Sequence, residues 1–271
     1  MPEHDPRVVA FRRLHESGCF VIPNPWDVGS AHVLAQMGFK ALATTSAGFA
    51  WSIGRPDNGV TLDEALAHFT AIAAAVQLPV NADFERAFAT DPGEVGENVA
   101  RACATGVAGL SVEDSTHDRE RPLFDFDLAV ERIRAARQAI DASGTGVLLV
   151  GRSEGFIAGR PDLAETIRRL EAYADAGAEC LFAPGVRTLA DIEAIVRAVA
   201  PKPVNVVANA NFATVQQLAA AGVRRISVGG TLARTAWTSF LGAAREIAEL
   251  GTFTAFGPTL SGAELNQLFA R

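Results

Sequence analysis

The sequence predicts an α/β fold: a (β/α)8 barrel built on a parallel sheet, with a C-terminal helical tail. Three observations carry that prediction. Apolar runs and amphipathic stretches alternate along the chain, four junctions repeat one pattern (a glycine followed at once by an apolar run), and the apolar runs number eight. A length of 271 residues suits a single barrel domain spanning 1–271, since about 250 residues is typical of the fold. An open doubly wound sheet is the alternative, weakened because no G-x-G-x-x-G follows the first run.

In chain order the strands are FVIPN from Phe20, the run after Gly38 (FKALATTS), PVNAD from Pro79 and the run after Gly106 (VAGLSVED). VLLVGRSE from Val147, the run after Gly177 (AECLFAPG), PVNVVAN from Pro203 and the run after Gly222 (VRRISVGG) complete the set. A glycine just past a helix takes the left-handed conformation that stops it, so each repeated glycine marks a helix end. Between strands, Ala129, Ile133, Ala136 and Ile140 form one apolar stripe, Leu163, Ile167, Leu170 and Ala174 a second, and Leu189, Ile192, Val196 and Val199 a third. Thr61 with Glu64, and Thr188 with Asp191, fit capping boxes. A last helix is expected around 231–250 and a short one near 263–269, in a tail placed to cap the barrel or to reach a neighbouring subunit.

A hydrophobic share of 49% is enough for a large core, yet no run nears the roughly 20 apolar residues of a membrane helix. The opening MPEHDPRVVAFRRLHESG has no apolar signal core, so export is not expected. A net charge of −7 without a basic stripe argues against nucleic acid as a partner. Three scattered cysteines fit neither a disulfide framework nor a zinc site, and a reducing cytoplasm is the expected location.

In such barrels chemistry sits at the C-terminal ends of the strands. Read in order, those ends offer Asn24, Trp26 and Asp27; Thr44, Thr45 and Ser46; Asp83 and Glu85; Glu113 and Asp114; Arg152 and Glu154; Ala183 to Gly185; Asn209 and Asn211; Gly229 and Gly230. Strand interiors read as almost wholly apolar, which concentrates polarity at one mouth. Asp83 and Glu85 share a face and Glu113 lies on the next strand, so three carboxylates meet. They repel unless a cation sits among them, and oxygen ligands without nearby His or Cys suit Mg²⁺, with Mn²⁺ as a substitute. The alternative is neutralisation by arginines. Asp114 is expected to point outward or to cap the next turn. Arg152 ends an apolar strand as a clamp for a substrate carboxylate, the alternative being an internal pair with Glu154 or Glu113. Ser46 lies in a small-residue turn whose amides can hold an oxyanion, and Asp57 follows a glycine-rich loop that can reach the mouth.

Both lysines, Lys40 and Lys202, begin strands and so belong to the opposite face, which excludes a Schiff-base aldolase. Cys19, Cys103 and Cys180 are poorly placed for a thiolate base. His4, His15, His32 and His68 map to the N-terminal segment or to helices, leaving His117, after the fourth strand, as the one histidine that can visit the mouth. What remains is electrostatic catalysis by a divalent metal, an arginine and amides, suited to a reaction through an enolate.

From about 11 to 245 the chain resembles the isocitrate lyase/phosphoenolpyruvate mutase superfamily. IPNPWDVGSAHVLAQMGFKALATTSAG, SIGRPDNGVTLDE, LPVNADFERAFA, GLSVEDS and VGRSEGF carry the resemblance. It implies a (β/α)8 barrel with its eighth helix exchanged between subunits, hence a homo-oligomer (dimer or tetramer). By the same resemblance Asp83, Glu85 and Glu113 match an Mg²⁺ site, and Asp57 matches a further acid of its shell. Ser46 with the amides of Ala47 and Gly48 matches a carboxylate-binding turn, Arg152 the arginine that contacts the pyruvyl or succinyl group, and Asn209 a substrate-facing asparagine. Trp26 and Asp27 match an aromatic–Asp pair after the first strand.

The chain also departs from the family pattern. The lyases carry K-[KR]-C-G-H after the fourth strand, and the mutase and phosphonopyruvate hydrolase branch a lysine and an asparagine; here the stretch reads STHDRERPLFDFD. The sixth strand ends APG where lyases usually have a glutamate. The expectation is therefore a Mg²⁺-dependent carbon–carbon lyase for a small 2-oxo or 2-hydroxy dicarboxylate, oxaloacetate decarboxylation being the simplest case. His117 or Glu154 would serve as base where one is needed. The alternatives are a P–C bond enzyme of the phosphonopyruvate type and a non-catalytic oxo-acid-binding barrel.

Overall fold

A computed structural model describes residues 5–270. His4 lies outside the described residues. Helix α1 (Pro6–Glu16) precedes β1 (Phe20–Ile22), α2 (Val28–Gln36), β2 (Leu42–Ala43), α3 (Ser46–Ser52), α4 (Leu62–Ala75) and β3 (Val80–Asp83). There follow α5 (Pro92–Cys103), β4 (Gly109–Glu113), α6 (Phe126–Ser143), β5 (Leu148–Arg152), α7 (Leu163–Asp175) and β6 (Cys180–Phe182). The chain continues with α8 (Leu189–Ala198), β7 (Val204–Val207), α9 (Val215–Ala220), β8 (Arg225–Ser227), α10 (Thr231–Leu250) and α11 (Gly262–Phe269).

All strand pairs are parallel, in the order β1-β8-β7-β6-β5-β4-β3-β2. The Ala43 amide donates to the Pro23 carbonyl at 3.0 Å across the remaining seam, so the sheet is a nearly closed barrel and not an open sheet. The four repeated glycines all take positive φ (Gly38 85°, Gly106 85°, Gly177 106°, Gly222 84°), as their helix-ending role requires. The Thr61–Glu64 capping box forms completely, whereas at Thr188 the side chain accepts from the Asp191 amide as half a box. The stripe of α6 is fully buried, from Ala129 through Ile133 and Ala136 to Ile140.

Two apolar layers result, one between sheet and helices and one inside the barrel. Helix α1 stoppers the N-terminal end of the barrel. Its Phe11 is fully buried, and a Cβ on Gly109 would lie 2.5 Å from that ring, which is why β4 begins with glycine. The barrel interior is not wholly apolar, because Arg225 is buried among strand side chains, its Nε donating to Asn205 Oδ1 (2.9 Å) and its Nη1 to Asn81 Oδ1 (3.3 Å). Amide oxygens replace water around that guanidinium, so a charge can be tolerated where a strand reading anticipates only packing.

The tail divides in two. Helix α11 lies on α2 of the same chain, where Gln36 Nε2 donates to the Leu268 carbonyl at 2.6 Å. Helix α10 buries only Ala233 and leaves Trp237, Phe240, Leu241, Ile247 and Leu250 exposed. Among the described residues no helix is long and apolar enough to cross a membrane.

Candidate active site

The C-terminal mouth of the barrel opens into a cleft of about 520 Å³. Its walls come from the ends of β3, β4 and β5 and from the segments after β2, β4 and β5. Of the residues singled out from sequence, Ser46, Asp57, Glu85, Glu113, His117, Arg152 and Glu154 line it, and Asp83 does not.

Asp83 is tied to that wall by hydrogen bonds. Its Oδ2 accepts from the Ser46 amide (3.0 Å) and hydroxyl (2.8 Å), and its Oδ1 from Arg152 Nη1 (3.0 Å). Ser46 thus begins a helix, α3, and does not form the open turn anticipated for it. Thr45 caps that helix and takes up the Gly48 amide. Gly48 is glycine for packing: a Cβ there would stand 2.7 Å from Thr45 Cγ2 and 2.9 Å from Trp26 Cβ. Ala47, Gly48, Trp26 and Asn209 do not line the cleft. Trp26 lines a separate groove with Phe49 and His68, Asn209 Nδ2 turns back to the Val207 carbonyl at 3.4 Å, and Asp27 caps α2.

Arg152 is the electrostatic centre. Its Nη1 lies 3.0 Å from Asp83 and 3.2 Å from Glu113, and its Nε donates to Glu154. Both internal pairs considered from sequence are therefore made. Burial acts to lower the Arg152 pKa, but Glu154, Glu113 and Asp83 outweigh it and raise it. Burial likewise opposes ionisation of Glu113, yet Arg152 and His117 hold its carboxyl below the usual range. His117 Nε2 stands 3.2 Å from Glu113 Oε1.

One guanidinium cannot neutralise every acid around it. Burial, together with Asp83, Glu113 and Asp57, pushes Glu85 up to about 8, and burial with the charge of Glu113 pushes Glu154 to about 8 against the pull of Arg152. Asp57 is also raised, by burial and then by Asp83. Glu85 is 5% exposed and sits on strained backbone at φ 48°; among the described residues its carboxyl makes no ion pair, and Arg86 only partly opposes the effect of burial.

Among the described residues no three His, Cys, Asp or Glu side chains already form a metal-holding group. Arg152 and Ser46 occupy the Asp83 oxygens, and His117 and Arg152 those of Glu113. The residues nonetheless fit a hard dication in donor chemistry and in charge. All are carboxylates, and at Glu85 the nearby Arg86 does not offset burial and the charges of Asp83, Glu113 and Asp57.

Sequence reading did not give weight to Arg132 or to Arg169. Arg132, 1% exposed, donates to the carbonyls of Glu113 (3.1 Å), Arg86 and Ala89 (3.0 Å), locking the segment after β3 to the end of β4. Its position three residues after Ala129 on a buried stripe is the signal that could have found it. Asp114 does point outward from the barrel, but into a buried network with Arg169 and Tyr173.

Comparison with known proteins agrees with this architecture. The family described as phosphoenolpyruvate phosphomutase matches residues 11–248. A solved structure from Burkholderia cenocepacia J2315, assigned provisionally as a lyase/mutase, is 46% identical with a TM-score of 0.94, covering 98% of this chain and 96% of that one. The oxaloacetate decarboxylase of Pseudomonas putida GB-1 is 30% identical over 230 residues, covering 81% of this chain and 77% of its own. The structure of a 2,3-dimethylmalate lyase is 25% identical with a TM-score of 0.86, covering 97% and 94%.

Proposed function

The chain belongs to the phosphoenolpyruvate mutase/isocitrate lyase superfamily of enzymes, and from that premise we propose that it is a Mg²⁺-dependent carbon–carbon lyase acting on a small 2-oxo or 2-hydroxy dicarboxylate, with oxaloacetate as the simplest substrate. The observation that carries this reading is the meeting of Asp83, Glu113 and Glu154 on the guanidinium of Arg152, in a cleft that Asp57 and Glu85 also line.

Asp83, Glu85 and Glu113 would hold the cation, with Asp57 adding charge from the rim. Mg²⁺, when bound, supplies Lewis acidity that favours negative charge on a keto oxygen. Arg152 would supply a second positive charge, and would turn donors now paired with Asp83, Glu113 and Glu154 to the substrate carboxylate. For oxaloacetate the bond to the departing carboxylate breaks, CO₂ leaves, and the electron pair moves onto the keto oxygen as an enolate. Carbon 3 then takes up a proton to give pyruvate. Glu154, whose carboxyl burial and Glu113 push up against the pull of Arg152, would return it, with His117 beside Glu113 as the other candidate. Trp26, Ala47, Gly48 and Asn209 shape the surroundings of the cleft without entering it.

Pyruvate release from oxaloacetate, 2-methylisocitrate, 2,3-dimethylmalate and phosphonopyruvate, with Mg²⁺ and with excess EDTA, tests the reading. Turnover of a carbon-only substrate that EDTA abolishes supports it. Release of phosphate from phosphonopyruvate alone, or activity indifferent to EDTA, overturns it.

The exposed face of α10 supports a homo-oligomer as the working form. Trp237, Phe240 and Leu241 lie on a helix that buries only Ala233 against its own barrel, an arrangement suited to packing on a second copy. The intact protein is expected to run as a multiple of 28.5 kDa in light scattering, and Phe240→Glu to shift it towards the single-chain mass. A parent that runs as a monomer at micromolar concentration contradicts this.

A further inference from the structure

We propose that Asp114, clamped by Arg169 and Tyr173, is a positioning residue that fixes the turn presenting Arg152 and Glu154 to the cleft. The inference rests on that cleft being the reaction site proposed above.

Asp114 is 1% exposed and makes a bond with nearly every polar atom it has. Its Oδ1 accepts from the Glu154 amide at 2.7 Å, and its Oδ2 accepts from Tyr173 Oη at 2.7 Å and Arg169 Nη1 at 3.1 Å. Its own amide donates to the Arg152 carbonyl (3.2 Å), and its carbonyl accepts from the Phe124 amide (2.9 Å). The side chain therefore ties the Glu154 amide, just after β5, to helix α7, while the Asp114 backbone joins the end of β5 and the closing residue of the segment after β4. Arg169 reinforces the joint by donating to the Phe124 carbonyl at 3.1 Å.

Apart from Asp114, the turn is held by backbone bonds: the Ser153 amide donates to the Phe182 carbonyl (2.8 Å), and the Glu154 carbonyl accepts from the amides of Ile157 (3.0 Å) and Ala158 (2.9 Å). A second cavity of about 380 Å³ lies on the side away from the cleft, lined by Ser153, Gly155, Arg160, Thr166 and Arg169. Ser153 Oγ is buried there without a hydrogen-bond partner. Where close-packed apolar contact is missing, placement of Glu154 falls to directed hydrogen bonds. Tyr173 is itself fully buried and pressed on β5, since a Cβ on Gly151 would lie 3.0 Å from Tyr173 Cβ. The clamp is thus referenced to the barrel wall. Loosening it frees the Glu154 carboxyl, and with it the Nε side of Arg152.

Tyr173→Phe deletes one bond of the clamp, and Asp114→Asn removes its charge. Amide hydrogen exchange across 150–162, the unfolding temperature, and kcat and KM for the oxo acid that the parent turns over decide the matter. Exchange at the Glu154 amide is expected to rise about tenfold in Tyr173→Phe while protection in β1 to β3 stays parental. In the same variant kcat is expected to fall about tenfold with KM moving less than about threefold, as for a misplaced group that substrate binding does not need. Parental exchange at Glu154, parental kcat alongside faster exchange, or exchange raised uniformly over the barrel would each overturn the proposal. If the parent turns over no oxo acid, the functional reading fails and the exchange measurement alone decides whether Asp114 positions the turn. Should Asp114→Asn not fold, Tyr173→Phe carries the test.

Discussion

Arg152→Ala is expected to lower kcat/KM about a thousandfold, the scale associated with removing a preorganised charge from a developing oxyanion. The same substitution withdraws the shared partner of Asp83, Glu113 and Glu154. Breaking a buried ion pair from one side costs about 3–5 kcal/mol, so the variant should also unfold at a lower temperature. Assays well below that temperature separate the two effects. Arg152→Lys keeps the charge but offers a point donor in place of a planar fork, and should recover stability more than activity. An Arg152→Ala variant with parental kcat/KM would show that the guanidinium serves only to neutralise the mouth.

The second large effect concerns Glu85. In the metal-free protein its carboxyl is pushed up to about 8, from an ordinary value near 4.5. The folded state therefore retains a proton that the unfolded chain has already lost, and stability falls as pH rises from about 4.5 through 8. Glu85→Gln should remove that dependence and stabilise the metal-free protein at pH 8 by on the order of 2 kcal/mol. Mg²⁺ reverses the logic. At about 100 times its dissociation constant it should stabilise the parent by about 2.7 kcal/mol, and Glu85→Gln much less. Thermal unfolding with and without Mg²⁺ at pH 5 and pH 8 checks both signs. Equal stabilisation of parent and variant by Mg²⁺ would remove Glu85 from the cation site.

The barrel was legible because its signals are local. Gly38, Gly106, Gly177 and Gly222 each close a helix within a few residues of the next strand, and an apolar run that ends in Asp83, Glu113 or Arg152 announces the mouth without any tertiary knowledge. Other features depend on distant partners. Asp114 meets Tyr173 across 59 residues and Arg225 meets Asn81 across 144, and nothing beside either residue in sequence marks the contact. Arg169 was missed as well, although it lies at helical spacing between Thr166 and Tyr173, both buried on α7. Gly48 and Trp26 illustrate the reverse case. Both look like site residues by position after a strand, yet Gly48 is small because Trp26, Thr45 and Ala233 crowd it. Short segments after β1 and β2 can turn away from the axis, and strand-end position alone does not say which way.

The account stands or falls on whether these acids hold a dication facing Arg152. A crystal grown with Mg²⁺ and oxalate, which mimics the enolate of pyruvate, measures this directly. The account predicts density for the cation among Asp83, Glu85 and Glu113, with or without bridging water, and the oxalate within hydrogen-bond reach of Arg152. Oxalate bound elsewhere, or Arg152 still paired with Asp83 and Glu113 beside an empty cleft, would contradict it.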